Sequence, residues 1–423
     1  MGRWANKYVI GLTGNIAVGK SVVRQMLQHL GAYTIDADGL SHQAMSPGAP
    51  AYQPVVNTFG QFILNPDKTI NRTMLGQIVF GNPDALAKLE AITHPVIGQA
   101  INTLISRSKQ SVVIIEAIKL LEGDLGKGVD AVWVVDAKPQ TQYTRMISKR
   151  KMTEADAKQR ILAQGPQAEK LKQASVVINN DSNVDETWKQ VQAAWNKIPQ
   201  AFIAPAAAPA PAVVPPPAAS PKPTAPSVPT PPAPAASKPA APSASPPAAA
   251  PAPDVPVIDT SGITVKRGMP TNAEIIATFI NSSSGQALNR MDVMMSFGQK
   301  SYLLAHGTGE AVVAVMGFQV ENLITRVDEF YIDSSVVKPP VIAALVREME
   351  EASKALQSEV GFFFLPAGAG EDMLQPLLSS GYEETTIKEI KIPAWREAVQ
   401  EVYSEGVRIL RKQLRKDRVL KPI

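Results

Sequence analysis

Residues 8–21 read YVIGLTGNIAVGKS. Tyr8 to Thr13 is a short apolar, β-branched run, the pattern of a strand buried on both faces. The next eight residues, GNIAVGKS, fit G-x-x-x-x-G-K-[ST], with Gly14, Gly19, Lys20 and Ser21 in the required places. Glycines at 14 and 19 let the backbone turn several N–H groups into one concavity. The helix that follows, expected over Lys20 to Leu30, adds its positive end to that anion nest. A lysine at 20 reaches β- and γ-phosphates, and a hydroxyl at 21 can ligate Mg²⁺. A strand before the loop and a helix after it form the context in which this spacing means phosphate binding. The loop alone leaves a small-molecule kinase, a GTPase and a motor ATPase open.

Working outward, the alternation of strand and helix signals continues. Strands are expected at Tyr33–Ile35, Val112–Ile115, Ala131–Val135 and Ser175–Ile178, and a helix at Val184–Trp195. This order predicts an α/β unit, a parallel sheet with helices on both faces. Ligands of such sheets sit at the carboxyl ends of the strands. The second strand ends in Asp36-Ala37-Asp38. A carboxylate at Asp38 could accept an alcohol proton and aim its oxygen at a phosphate. The alternative is a cap for the helix beginning Gly39-Leu40-Ser41. Residues 139–172 are rich in helix formers and cations, among them Arg145, Lys149, Arg150, Lys170 and Lys172. They predict a helical lid that closes over phosphates, with most of its cations on a solvated face. His94, just before Pro95, is expected to mark a helix start, and Asn179-Asn180 ends the last strand.

The chain has 423 residues, enough for two or three domains. Most of its 36 prolines crowd into 204–257, where the only charges are Lys222, Lys238 and Asp254. Such a segment can form neither helix nor ladder, and is expected to be a semi-rigid, largely disordered spacer. It divides the chain into 1–200 and 258–423. A formal net charge of +4 is too small to imply nucleic-acid binding. The absence of cysteine excludes disulfides and thiolate chemistry, and four histidines argue against a histidine-rich metal centre. No apolar run approaches the length of a membrane span, and MGRWANKYVIGLTG lacks the apolar core of a secretory signal. A soluble cytoplasmic protein is expected.

The first unit resembles dephospho-CoA kinase over about 190 residues. The resemblance is carried by GLTGNIAVGKS at 11–21, TIDAD at 34–38, SPGAPAY at 46–52, THPVI at 93–97 and IEAIKLLE at 115–122. It continues through QYTRMISKRKMTEADAKQRILAQ at 142–164 and EKLKQASVVINN at 169–180. It implies a P-loop kinase fold that moves the ATP γ-phosphoryl group to the ribose 3′-hydroxyl of dephospho-CoA, with Mg²⁺. Asp38 then stands where the family has its base. Residues Ala17, Val18, Gly19, Lys20, Ser21 and Val22 stand at its ATP-phosphate segment, and Arg145 at its lid arginine, which contacts the transferring phosphate. Two departures stand out. Ala17 and Val18 replace a glycine and a serine. The family's D-x-P-L-L-x-E appears as Glu116-Ala117-Ile118-Lys119-Leu120-Leu121-Glu122, with the proline lost and Lys119 gained. A nucleoside or nucleotide kinase of the same fold and a nucleotide-dependent switch remain alternatives.

The element order of the second unit resembles a GNAT-type acetyltransferase, an α/β domain with a mixed sheet, over about 258–392. Strands are expected at Ser301–Ala305, Glu310–Gln319, Ile324–Ile332, Val360–Leu365 and Glu384–Ile392, and helices at Pro340–Leu356 and Glu371–Leu378. That fold implies a glycine-rich turn for the acyl-CoA pyrophosphate. The corresponding stretch here, 333–340, has no glycine and two prolines. A regulatory or degenerate CoA-binding domain is therefore expected rather than an active transferase. From Trp395 the pattern predicts a basic amphipathic helix over 393–423.

Overall fold

The computed structural model describes residues 3–150, 152–162, 164–165, 167–203, 262–307 and 310–420. The proline-rich stretch lies outside these residues, as do Lys151 and Lys421.

The first sheet grows from the expected runs. β1 (Tyr8–Thr13) is buried from Val9 onward and leads through the phosphate loop into α1 (Lys20–His29). Then come β2 (Tyr33–Asp36), α2 (Ala37–Ala44), α3 (Tyr52–Phe59), α4 (Arg72–Phe80) and α5 (Pro83–Arg107). β3 (Val112–Glu116) is buried throughout; α6 (Asp124–Gly128) and β4 (Ala131–Asp136) follow. The stretch expected as a lid forms α7 (Pro139–Arg150), α8 (Glu154–Leu162) and α9 (Gln167–Lys172). β5 (Val176–Asn179), α10 (Val184–Trp195) and α11 (Gln200–Ile203) complete the unit.

The strands lie in the order β2-β3-β1-β4-β5, all parallel. From β1 the chain leaves toward β2, and from β3 it returns across β1 to β4. The connections therefore part outside the carboxyl ends of β1 and β3, where open α/β sheets bind ligands. α10 shows why such helices dock: Asn183 caps it by accepting from the Glu186 N–H at 2.9 Å, and Val184, Trp188, Val191 and Trp195 bury one stripe.

His94 does not start a helix. It sits inside the 25-residue α5, which begins at Pro83 with Asn82 as its cap. Two backbone N–H groups, of Asp84 and Ala85, satisfy Asn82 Oδ1, and proline is well placed in a first turn. Pro95 removes only one hydrogen bond from a helix whose neighbours Ile97, Ala100, Ile101 and Leu104 are buried.

The second unit contains β6 (Thr264–Gly268), α12 (Ala273–Ser284), α13 (Arg290–Ser296), β7 (Ser301–His306), β8 (Val312–Glu321) and β9 (Ile324–Ile332). It continues with α14 (Lys338–Ala355), β10 (Val360–Pro366), α15 (Glu371–Ser379), β11 (Glu383–Thr385), α16 (Pro393–Gln400) and β12 (Val407–Gln413). The order is β11-β12-β10-β9-β8-β7-β6, antiparallel except for the β9–β10 pair. The strand expected over Glu384–Ile392 is shorter and gives way to a 3₁₀ turn at Ile387–Glu389.

The tail is not a basic helix over 393–423. α16 stops at Gln400, Gly406 turns with φ 84°, and β12 enters the sheet between β10 and β11. Ile409 and Leu410 point to two different apolar clusters, one on each side of the strand. Four of the cations expected on a basic helix end pair with glutamates: Arg408 with Glu384, Arg411 with Glu383, Lys412 with Glu350 and Arg418 with Glu359.

The units pack together. Met26 and Leu27 of α1 share a core with Ile276, Phe297 and Tyr302 of the second unit. Arg24, Gln25, Gln28 and His29, polar residues that a surface helix would expose, are all buried. Gln25 donates to Ser301 Oγ at 3.3 Å, Arg267 donates to the Gln28 carbonyl at 3.2 Å, and His29 Nε2 lies 3.0 Å from the Phe297 carbonyl. Among the described residues no helix is long and apolar enough to cross a membrane.

Candidate active site

The loop between β1 and α1 takes the shape its glycines permit. Gly19 caps α1 with φ 95°, and Gly14 has φ 147°. A Cβ on Gly14 would strike the Val135 carbonyl, and one on Gly19 the Asn180 side chain, so neither position accepts another residue without rearrangement. Lys20 is buried and folds over the loop, its Nζ donating to the Gly14 carbonyl at 3.1 Å and the Asn15 carbonyl at 3.4 Å. Ser21 is exposed on the first turn of α1, and Val22 is half-buried beside it.

The capping role that sequence weighed for Asp38 falls to Asp36. Asp36 is the cap of α2, its Oδ1 accepting from the Gly39 N–H at 2.9 Å. Asp38 is thereby free of the capping role. Its Oδ2 accepts from the Ile118 N–H at 3.2 Å. A proline at 118 could not make that bond. Burial, and then Asp36, push the Asp38 carboxyl above the usual range, against the Ile118 N–H, Lys20 and Lys170.

Lys170 escaped sequence reasoning, which placed it among solvated lid cations. From α9 its Nζ donates to Asn15 Oδ1 at 3.0 Å and to the Ile118 carbonyl at 3.2 Å. Burial first, and Lys20 second, lower its pKa. The Ile118 peptide thus joins Asp38 through its N–H and Lys170 through its carbonyl, which also accepts from Thr13 Oγ1 at 3.1 Å.

The lid grips the loop through two glutamines that sequence also did not single out. Gln164 Oε1 accepts from the Ile16 N–H at 2.6 Å and Gln167 Oε1 from the Asn15 N–H at 3.0 Å. Gln167 Nε2 donates to the Val135 carbonyl at 2.9 Å and to Asp136 Oδ1 at 3.1 Å. Ile16 packs with Met146 and Ala157 of the lid helices.

Arg145 lies on the opposite flank of the loop from Asp38. Its guanidinium donates to the carbonyls of Ala17 at 3.3 Å, Val18 at 3.1 Å and Asn180 at 2.6 Å. Asn180 is itself buried, donating from Nδ2 to the Val18 carbonyl at 2.8 Å while Thr187 donates to its Oδ1 at 2.8 Å. Arg145 and Asn180 therefore brace the β4–β5 side of the loop. Lys149 and Arg150 end α7, and their side chains lie outside the described residues. Glu116 is engaged by Arg24 at 2.7 Å, both buried.

A cleft of about 1280 Å³ opens on the Asp38 side, lined among others by Asp38, Ser41, Thr93, His94, Lys119 and Glu122. Its size suits a large acceptor. The family pattern for dephospho-CoA kinase matches residues 8–186. The dephospho-CoA kinase of Geobacter metallireducens is 44% identical over 192 residues, 45% of this chain and 96% of that protein. The chain belongs to the dephospho-CoA kinase family. It is accordingly a phosphotransferase of the last step of coenzyme A synthesis that uses ATP as a substrate. A solved dephospho-CoA kinase from Campylobacter jejuni superposes with a TM-score of 0.33 at 27% identity, covering 46% of this chain and 100% of that one. An N-acetyltransferase from Staphylococcus aureus superposes with a TM-score of 0.29 at 8% identity, covering 37% of this chain and 100% of that one.

Proposed function

We propose that this kinase transfers the γ-phosphoryl group of ATP to the ribose 3′-hydroxyl of dephospho-CoA, with Asp38 as the proton acceptor. The observation that carries this reading is the cluster at the carboxyl edge of the sheet, where Asp38 and Lys170 both bond to Ile118, Lys170 and Lys20 both bond to Asn15, and Asp38 lines the 1280 Å³ cleft. The sheet order supports a reading in which the two substrates lie apart. The acceptor enters on the β2–β3 side, facing Asp38, and the nucleotide lies across the loop with its base toward Asn180 and Arg145. Asp38 receives the hydroxyl proton as the oxygen attacks. Its raised pKa makes it a better base than an ordinary exposed carboxylate. Lys20 and Lys170 place positive charge beside the transferring group, where it stabilises charge spread over the equatorial oxygens. Arg145 acts on the loop it braces, keeping the N–H donors of residues 17–22 aimed at the phosphates. Lid closure through Gln164 and Gln167 excludes water, which would compete with the alcohol.

The exposed Ser21 hydroxyl, next to Lys20, fits one ligand position of Mg²⁺, an ion that takes most of its other ligands from phosphates and water. Held there, Mg²⁺ would neutralise charge on the β- and γ-phosphates. We place the reaction in the cytoplasm, where ATP is available.

For the second unit, acetyl transfer is not favoured. In the loop after β9, the Asp333 carboxylate accepts from the Ser335 N–H at 2.8 Å and hydroxyl at 2.6 Å, and two prolines follow. The N–H groups of Ser335 and Val336 are used internally, and Pro339 and Pro340 have none to offer a pyrophosphate.

The test is ADP release by the full chain with and without dephospho-CoA, and with a panel of nucleosides and nucleotides as acceptors. Acceptor-dependent turnover specific for dephospho-CoA is expected. Asp38→Asn should lower kcat by about 10²–10⁴-fold without lowering the melting temperature. Undiminished turnover in that variant removes the base assignment.

A further inference from the structure

The hairpin between β8 and β9 has a two-residue loop, with Glu321 paired to Ile324. Such loops need positive φ at both central residues when they follow the twist of the strands. Asn322 and Leu323 have φ 50° and 65°. Asparagine tolerates that region; leucine is an outlier there, and glycine is the ordinary choice. Turn tips also normally face water. Leu323 is only 8% exposed, because its side chain enters the core of the first unit with Leu40 and Ala44 of α2 and Ile101 and Leu104 of α5. Its carbonyl is anchored from its own unit by the Glu359 N–H at 2.7 Å and Ser358 Oγ at 3.2 Å.

The neighbours of Leu323 fall on the same target. The Asn322 carbonyl accepts from Gln43 Nε2 of α2. The Asn322 side chain lies so close to Gly39 that a Cβ there would overlap it. Glu321 reaches Arg24 at 3.5 Å, the residue that pairs with Glu116 at the end of β3. Strained backbone persists where its surroundings over-determine it, and here the surroundings are α2 and the helix beneath it.

We propose that the Asn322-Leu323 turn is a strut by which the second unit positions α2, and through it Asp38, for phosphoryl transfer. The inference rests on the reading of Asp38 as the base. Asp38 lies in the first turn of α2, next to Gly39 and five residues before Gln43, so the strut braces the helix that aims the carboxylate. Misplacement of a catalytic group by about 1 Å can cost about 10²-fold in rate, which makes a small rocking of α2 visible in kcat. Leu323, Asn322 and Gln43 are positioning residues that act through the helix.

The test uses the full chain and two readouts, acceptor-dependent ADP release and hydrogen exchange of the α2 amides at 37–44. Leu323→Gly removes the strut while easing the backbone. It should lower kcat about tenfold with KM for ATP unchanged, and speed α2 exchange to a similar extent. Leu323→Met, which keeps an apolar plug, should stay within twofold of the unaltered chain. Gln43→Ala removes one hydrogen bond at a half-buried position and should shift both readouts the same way by about threefold. Unchanged α2 exchange in Leu323→Gly, or faster exchange with unaltered kcat, overturns the strut. Should Leu323→Gly fail to fold, unchanged exchange or kcat in Gln43→Ala overturns it. Undiminished turnover in Asp38→Asn alongside faster α2 exchange would instead overturn the base reading and leave the strut on α2 standing.

Discussion

Ala17 stands in the left-handed region with φ 56°, where a side chain costs roughly 1 kcal/mol and glycine costs little. On the proposed reading the strain leaves phosphate binding intact, since the cradle would be made of backbone N–H groups and not of the side chain. Ala17→Gly should therefore raise unfolding stability by about 0.5–1 kcal/mol, read from urea melts, with kcat nearly unchanged. Ile118 shows the opposite kind of departure from the family pattern, because its N–H supplies a hydrogen bond to the Asp38 carboxylate. That bond favours the charged base and partly offsets the rise caused by burial. Ile118→Pro removes the donor and should move the acid limb of the pH profile of kcat/KM further upward, so that activity is lost at a higher pH as the solution is acidified. An unmoved limb would show that Asp38 does not govern it. At this scale the placement of Gly14, Lys20 and Ser21 was legible because the loop's turns are local. Whether Asp38 caps its helix was not, and neither was the contact of Lys170, which meets the loop from more than 150 residues away in the chain.

Among the elements, the lid is one that meets the phosphate loop from far along the chain. Its helices were expected from composition, but beside the charged Arg145 and Lys170 two uncharged residues hold the loop. Gln164 and Gln167 take up the N–H groups of Ile16 and Asn15, and Gln167 also ties the lid to the end of β4. Gln167→Ala should raise KM for ATP about fivefold, the equivalent of one net hydrogen bond of about 1 kcal/mol. It should also increase ADP release without acceptor, because a looser lid admits water. Equal KM and unchanged hydrolysis in the variant would remove the lid role from Gln167. The tail illustrates a different difficulty. Val399, Val402, Leu410 and Leu414 recur at helical spacing, yet β12 lies at 407–413 because β10 offers it a complete ladder from Val360 to Pro366. Helical period in a short window competes with strand pairing that no local window contains. Four of the cations that read as a basic end pair with glutamates brought up by β11, α14 and the start of β10.

For the whole molecule, the packing of the two units has a signature in pH. His29 is buried between α1 and the second unit, and burial first, then the nearby Arg267, lower its pKa from 6.5 to about 3. Between those values the unfolded chain binds a proton that the folded chain does not. The stability is therefore complete above pH 6.5 and falls as the solution is acidified toward pH 3, by about 1.4 kcal/mol per unit from this group. Urea midpoints at pH 7.5 and 5.5 should differ accordingly, and His29→Gln should flatten the difference. What sequence determined by itself is the glycine-rich loop between the first strand and helix and the parallel sheet that presents it. Both follow from short-range rules of turn geometry, strand burial and helix initiation. Only the tertiary structure decided which lid residues hold the loop, where the last strand goes and that a leucine from a distant turn lodges beneath α2. Those outcomes depend on buried polar contacts and strand partners separated by long stretches of chain, and their energy exists only once both surfaces are in place.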